Sequence, residues 1–160
     1  MSKITPCLWF ETQALEAAQY YTAIFPNSSI SEVHKSSADT PGAKAGSVLV
    51  VRFTLAGQGY MALNGGPHDA FNDAISLSVD CNDQAEVDHL WQALTADGGR
   101  PIQCGWLKDK YGVSWQIVPK RLVELMSGAD PARNRRVMQA MMKMIKIDIA
   151  GLEAAADAAA

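Results

Sequence analysis

ITPCLWFETQALEAAQYYTAIFPNS, residues 4–28, joins a strand pattern to a helix pattern and determines how the first half of the chain folds. Its opening run, residues 4–10, is short, apolar and aromatic, which is typical of a β-strand. Thr12 is a candidate N-cap, and apolar residues recur within residues 13–25 at the spacing of one helix face. Pro26 then ends the helical pattern. The stretch predicts a strand followed by an amphipathic helix.

The rest of the first half continues with strand patterns. Residues 29–35 have weak β-strand character, and residues 36–46 are rich in Ser, Gly, Ala and Pro, which is typical of a mobile loop. Residues 47–55 are dense in Val, Phe and Thr, a Gly-Gln-Gly turn spans residues 57–59, and an apolar run returns at residues 60–63. This pattern predicts a β-hairpin.

The second half repeats the same order of elements. Alternating apolar residues predict a strand over residues 74–79, and Asn82 or Asp83 is the predicted N-cap of a helix that ends at residues 97–99. Short strands are then predicted at residues 101–104, 106–108 and 113–118. A strand, a helix and three strands thus occur twice, about seventy residues apart, although the halves share little residue identity.

The chain becomes helical after Pro119. Residues 122–126 form one predicted helix, and residues 128–131 break the helical pattern after it. An apolar stripe then continues at helical intervals, formed by Val137, Met138, Met141, Met142, Ile145, Ile149 and Leu152. We expect the stripe to pack on the sheet or on a second subunit, and the alternative is a flexible binding face, because methionine adapts to irregular surfaces. The Ala-rich end from Ala154 is expected to fray.

Composition and charge exclude several functional classes. The 160 residues are 48% hydrophobic and 19% charged, which fits one globular domain. The formal net charge is −3 and no basic stripe is present, so nucleic acid is not an expected partner. No secretory signal and no run of about 18 apolar residues occur, so we expect a cytoplasmic protein without a membrane partner. Cys7, Cys81 and Cys104 lack metal-binding spacing and are predicted to be reduced, buried thiols.

Four stretches carry a resemblance to a known family. They are residues 4–28, quoted above, YMALNGGPHDAFN at 60–72, CGWLKDKYGVSWQIVP at 104–119 and RVMQAMMKMIKIDIAGLEAA at 136–155. Together they are similar to the PhnB-like branch of the vicinal oxygen chelate (VOC) superfamily. Its members often carry the label 3-demethylubiquinone-9 3-methyltransferase.

The resemblance implies an α+β fold of the glyoxalase-like VOC type. In this fold two βαβββ modules form a curved eight-stranded mixed sheet around a small-molecule cavity, commonly in a homodimer. The implied boundaries within a single domain are module one at 1–66, module two at 67–119 and a C-terminal helical extension at 120–160.

The residues do not support the methyltransferase label. A site for S-adenosylmethionine is expected to need a Gly-rich turn that opens a helix and is followed by an acidic residue. The glycine clusters at residues 57–59 and 65–66 lie in a hairpin and a loop. We therefore expect no methyl transfer and no cofactor.

Metal-dependent VOC enzymes hold a divalent ion with His, Gln or Glu side chains on four strands. The resemblance places the matching positions near Thr5 or Pro6 on the first strand, between Met61 and Leu63 on the fourth, at Ala74 on the fifth and at Gln116 on the eighth. Only Gln116 offers a suitable donor, whereas a stable site needs about three protein ligands. We therefore predict that this position holds no metal.

Inward-facing strand positions supply the predicted ligand-binding residues, because side chains alternate along a strand. Together with one residue of the following loop, they are Trp9, Met61, Leu63, Asn64, Trp106 and Lys108. Trp115 and Gln116 cannot both face inward, and we assign Trp115 to packing. Trp9 and Trp106 could instead fill the core, and Lys108 and Asp109 could pair across a turn or form a solvated strand end.

The predicted catalytic residues are His68 and Gln116. His68 lies in the loop of residues 64–68, where the mouth of a pocket is expected, and histidine titrates near neutral pH, which suits a general base. The alternative for His68 is an exposed linker residue.

Three functional hypotheses follow. The first is a metal-independent small-molecule enzyme of unknown substrate, or a relative that has lost its chemistry. The second is a non-catalytic protein that sequesters a small molecule, as bleomycin-resistance members of the superfamily do. The third is a dimeric interaction protein that uses the C-terminal Met-rich helix.

Overall fold

The computed structural model describes residues 3–67 and 69–158, which fall into two compact units divided between Ala70 and Phe71. Unit 1 contains β1 (Cys7–Phe10), α1 (Ala14–Ile24), β2 (Ser29–Lys35), β3 (Val48–Leu55) and β4 (Gln58–Asn64). Unit 2 contains β5 (Leu77–Cys81), α2 (Gln84–Thr95), β6 (Arg100–Pro101), β7 (Trp106–Lys108), β8 (Ser114–Pro119), α3 (Lys120–Met126), α4 (Pro131–Met141) and α5 (Ile149–Asp157). The order βαβββ occurs in both units, as predicted.

Each unit contains one four-stranded mixed sheet. The strand order is β1-β4-β3-β2 in unit 1 and β5-β8-β7-β6 in unit 2. In each sheet the first strand of the unit pairs in parallel with the fourth, and the remaining neighbours are antiparallel. The two halves therefore share one topology, which confirms an α+β fold of paired βαβββ modules followed by helices.

One face of each sheet packs against the helix of its own unit. In unit 1, Val51 and Phe53 are almost fully buried, and Tyr21 of α1 stacks on Phe53 with ring centroids 6.4 Å apart. In unit 2, Leu107 and Trp115 are buried on the face that packs against α2. Burial of such side chains contributes roughly 25 cal/mol per Å² of apolar area. Trp115 is therefore a packing residue, as predicted.

The two long helices of the modules begin differently. Asp83 is the N-cap of α2, since its carboxylate accepts a hydrogen bond from the Glu86 N–H at 2.9 Å. This confirms one of the two predicted caps. Thr12 does not cap α1, and that prediction is wrong. The carboxamide of Asn64 takes this role from the end of β4, where its Oδ1 accepts a hydrogen bond from the Ala14 N–H at 2.8 Å.

The fifth and sixth strands differ from their predicted bounds. β5 begins at Leu77 and not at residue 74, and Ile75 is 70% exposed, so it does not extend the buried face. β6 is the two-residue strand Arg100–Pro101. Cys104 has a φ of 59°, which is left-handed backbone and does not continue a strand.

The C-terminal apolar stripe is not one helix, contrary to prediction. The reason is that the segment between α4 and α5 pairs with other backbone: Met144 O and Ile145 O accept hydrogen bonds from Cys104 N and Gly105 N at 2.8 and 2.9 Å. The stripe therefore splits. Val137 and Leu152 of the stripe are buried in a cluster with Leu122, Leu125, Ile147 and Ala156, whereas Met138, Met142 and Ile145 are exposed.

The Ala-rich end is helical and does not fray from Ala154. Helix α5 runs to Asp157, and its N-cap Asp148 accepts a hydrogen bond from the Gly151 N–H. Ala156 is buried in the C-terminal cluster, which holds this last turn in place. Across residues 3–67 and 69–158, no helix combines the length and apolar character needed to cross a membrane.

Candidate functional site

We call the sheet face opposite α1 the open face of unit 1. Strand register places Cys7 beside Met61, and Trp9 beside Leu63. Leu63 is also paired with Val50 of β3. Paired residues project to the same side of a sheet, so three predicted ligand-binding residues, Trp9, Met61 and Leu63, are neighbours on this face.

Trp9 is held in a fixed orientation although 44% of it is exposed. Its indole Nε1–H donates a hydrogen bond to Gly66 O at 3.1 Å. The ring also lies directly against Gly65, where an added Cβ would overlap ring atoms. A tryptophan that filled the core would be covered, so Trp9 instead presents an oriented aromatic surface.

Asn64 has a different setting from the other predicted ligand-binding residues. It is 5% exposed, and its Oδ1 accepts the Ala14 N–H while its Nδ2 donates to Val48 O at 3.0 Å. Its carboxamide therefore joins the end of β4 to the start of α1 and to β3. This is a structural role that the strand pattern alone does not reveal.

Unit 1 contains a cavity of about 550 Å³ whose lining residues, apart from Asn64, were not among the predicted ligand-binding residues. Its walls include apolar groups of Leu15, Pro41 and Val48, with Thr12 and Asn64 also lining it. The loop that closes one side was expected only to be mobile. It is hydrogen-bonded internally, for example from Thr40 N to Ala43 O at 2.8 Å, and composition carries no signal for such pairing.

The corresponding open face of unit 2, opposite α2, carries the other predicted site residues. Register pairs Gln116 with Trp106 on one side and with Ser78 on the other. The Gln116 Nε2–H donates a hydrogen bond to Ser76 Oγ at 2.9 Å, which orients the carboxamide. Trp106 and Gln116 are therefore adjacent, and Ser76 is a neighbour that the sequence did not indicate.

Lys108 lies on the same face, two residues after Trp106 in β7, and is paired with Ser114. Its side chain is 13% exposed, and its Nζ lies 3.0 Å from Asp73 Oδ1. Ser114 Oγ donates to the same carboxylate oxygen at 2.9 Å. The hydrogen bond from Lys108, followed by that from Ser114, lowers the pKa of Asp73.

Asp109 does not lie on this rung. It is 2% exposed, and its carboxylate accepts hydrogen bonds from Tyr111 N, Val113 N and Trp115 Nε1. The carboxylate thereby holds the turn between β7 and β8 and fixes Trp115. The ion pair of Lys108 is made with Asp73, 35 residues earlier in the chain, and a sequence pattern does not predict such a contact.

His68 lies outside the described residues, so its predicted role as a base stays a prediction. Gln116, the other predicted catalytic residue, lies on the open face of unit 2. Of the three cysteines, Cys81 is buried, Cys104 is partly buried and Cys7 is exposed, so the prediction of burial is wrong for Cys7. Burial raises the pKa of the Cys81 thiol to about 12, and nearby acidic side chains add to this shift.

The side chains at the expected metal positions do not fit a Zn²⁺, Ni²⁺ or Mn²⁺ site. The strand register corrects two of these positions: Met61 shares its rung with Cys7 and not with Thr5 or Pro6, and Gln116 shares its rung with Ser78 and not with Ala74. Ala74, assigned to the fifth strand from the sequence, precedes β5. Among these four side chains only the thiol of Cys7 and the carboxamide of Gln116 are suitable donors, which is fewer than the three protein ligands that a stable site needs. Within the described parts of the chain, no three His, Cys, Asp or Glu side chains are grouped to hold a metal ion.

The repeated βαβββ topology defines the class of this protein as VOC-type. The family model described as 3-demethylubiquinone-9 3-methyltransferase matches residues 2–118. The chain therefore belongs to this family, the PhnB-like family of the VOC superfamily. The match ends at Val118, so α3, α4 and α5 lie beyond the matched segment.

Solved structures agree with this assignment. The PhnB protein of Bacillus cereus is 35% identical, with a TM-score of 0.66, and the alignment covers 74% of this chain and 99% of that one. PA1353 from Pseudomonas aeruginosa shares the fold at 20% identity and a TM-score of 0.62, over 74% of this chain and 98% of that one. Among curated proteins, none matches this sequence.

Proposed function

We propose that this protein binds a small organic molecule on its open sheet faces, in the cytoplasm and without a metal ion. The observation that carries the proposal is the fixed orientation of the partly exposed Trp9 ring. Its ring is oriented by Gly66 O and Gly65, yet 44% of the residue is exposed. An aromatic surface that is already ordered loses little side-chain entropy when a ligand covers it.

The open face of unit 2 supports the same function. It combines the aromatic ring of Trp106 with the carboxamide of Gln116, whose orientation Ser76 fixes. Small-molecule sites commonly combine aromatic walls with a few positioned polar groups. The variants Trp9→Ala and Trp106→Ala compare the contributions of the two faces to binding.

Ligand binding is tested by thermal shift against a panel of planar metabolites, followed by titration of each hit. We expect Trp9→Ala to lose most of the affinity for a ligand bound by unit 1. Gly65→Ala should also weaken binding, because the added methyl group displaces the Trp9 ring. Gly59→Ala is the matched control, since a Cβ at Gly59 meets nothing within 4 Å. Hits whose affinity is unchanged in both Trp9→Ala and Trp106→Ala would contradict the proposal.

Metal independence is tested by elemental analysis of protein purified without a histidine tag. Only Cys7 and Gln116 among the side chains on these two rungs are suitable donors, and this small number supports a content far below one ion per chain. A content of about one ion per chain that is lost in Gln116→Ala would show that the proposal is wrong.

Catalysis is the second candidate, in which His68 is the general base and Gln116 polarises the substrate through a hydrogen bond. The oriented carboxamide of Gln116 favours it, because a fixed amide can polarise a carbonyl group. If a bound metabolite is turned over, His68→Ala should reduce kcat. If hits bind without turnover, sequestration is the function.

Methyl transfer is not part of the proposed function. The connections that lead into α1 and α2, residues 11–13 and 82–83, contain no glycine, and β8 continues directly into α3. A nucleotide-type cofactor site needs a Gly-rich turn there for close approach of the backbone. We expect no binding of S-adenosylmethionine by calorimetry. Saturable binding of this cofactor at micromolar concentration would contradict this expectation.

We also propose that the protein is a homodimer. Met138, Met142 and Ile145 leave an exposed apolar strip on unit 2, and exposed apolar patches commonly mark protein interfaces. Light scattering with size-exclusion chromatography measures the mass directly. A concentration-independent monomer would contradict this part of the proposal, and a dimer that Met142→Glu dissociates would place the interface at the strip.

A further inference from the structure

Two cations share one rung on the open face of unit 2. The β6–β7 ladder pairs Arg100 with Lys108, and the β7–β8 ladder pairs Lys108 with Ser114. Directly paired residues project to the same side of a sheet. Arg100, Lys108 and the hydroxyl of Ser114 therefore lie in a row across three strands.

Asp73 is the carboxylate that reaches this rung. It accepts hydrogen bonds from both Lys108 and Ser114 through Oδ1, and these bonds, with the charges of Lys108 and Arg100, lower its pKa and keep it ionised at neutral pH. One carboxylate faces two cations, so the row has a net positive charge. Among the strand residues of this face, the next acidic one is Asp80, whose partner Val118 lies four residues from Ser114 along β8, roughly 13 Å away.

The environment of Lys108 strengthens the attraction of its charge for an anion. Its side chain is 13% exposed, whereas that of Asp73 is 62% exposed. An ammonium group has three N–H donors, and Asp73 accepts only one of them. A partly desolvated cation interacts more strongly with an incoming anion than a fully hydrated one does.

The neighbouring rung supplies the other half of a site. Trp106 and Gln116 are paired there on the same face, two residues and roughly 7 Å from the Lys108 rung. We propose that the ligand of unit 2 is an aromatic acid, with its ring against Trp106 and its carboxylate held by Lys108 and Arg100. This inference rests on the proposed function, since it names the ligand class of one proposed binding face. Asp73 is then a specificity-determining residue, because it orients Lys108 and also competes with the ligand for its charge.

The test compares 2-naphthoate with the neutral isostere 2-naphthamide by NMR titration, following the indole N–H signals. We expect naphthoate to bind at least about tenfold more tightly, because hydrogen bonds to a charged group are the stronger class. The preference should shrink as salt concentration rises. Lys108→Gln should abolish it, Lys108→Arg should retain it, and Arg100→Gln should reduce it. The control Lys35→Gln, an exposed lysine of β2, should leave it unchanged.

Asp73→Asn separates the two roles of Asp73, which are to orient Lys108 and to compete with the ligand for the charge of Lys108. The asparagine keeps an oxygen acceptor for Lys108 and Ser114 but removes the competing charge, so naphthoate should bind several-fold more tightly and naphthamide should be unaffected. Equal affinity for the two probes would refute the anionic ligand class and leave the proposed small-molecule function intact. If neither probe binds, the aromatic-acid inference is refuted, and the metabolite panel then decides the proposed function independently.

Discussion

Replacement of Asn64 by alanine tests whether this predicted ligand-binding residue is structural. The change removes two buried hydrogen bonds, one from the Ala14 N–H and one to Val48 O, at 2.8 and 3.0 Å. Each bond contributes about 1 kcal/mol net, and loss of a helix cap costs about 0.5–2 kcal/mol. We expect the free energy of unfolding to fall by about 2 kcal/mol. For a chain of this length, that corresponds to a decrease in Tm of about 4–8 °C.

The assay is urea unfolding followed by circular dichroism, with calorimetry for Tm. Asn72→Ala is the matched control, because Asn72 is exposed and makes one local turn bond, so its loss should cost less than about 0.5 kcal/mol. Asn64→Asp keeps the acceptor for Ala14 but loses the donor to Val48 O and buries a negative charge, so its cost includes both effects. Full stability of Asn64→Ala together with loss of ligand binding would refute the structural assignment.

Three further outcomes are expected. Asp109→Asn should cost about 2 kcal/mol in urea unfolding, because an amide leaves one of three N–H donors facing another donor. Leu152→Ala should cost about 2–5 kcal/mol and Met142→Ala less than about 0.5 kcal/mol, because only Leu152 is fully buried; equal costs would contradict the split stripe. In native protein at pH 8, a thiol reagent should modify Cys7 well before Cys81. Labelling of Cys81 at the rate of Cys7 would contradict the burial of Cys81. Folding raises the pKa of Cys81 from its ordinary value of 9.0 to about 12, so the contribution of the neutral thiol to stability is complete below pH 9 and is lost as pH rises towards 12.

The element order was readable because it depends on local periodicity. Alternation along β3 and β8 and helical spacing in α1 and α2 arise from the geometry of single elements. Asp83 could be recognised as a cap for the same reason, since its partner Glu86 N is three residues away. Strand alternation showed that Trp115 and Gln116 face opposite sides, and the resemblance, which places Gln116 at a ligand position, left Trp115 for packing. In each case the deciding interaction lies within a few residues along the chain.

Sequence by itself thus determined the two βαβββ units and the family resemblance. Tertiary structure alone decided that Asn64 caps α1 from 50 residues away, that Asp73 pairs with Lys108, and that residues 144–145 leave the helical stripe to pair with Cys104 and Gly105. These contacts join segments far apart in the chain. A local sequence pattern cannot reveal a hydrogen-bond partner that only folding brings within 3 Å, so the contacts on each open face became known only from the folded structure of its own unit.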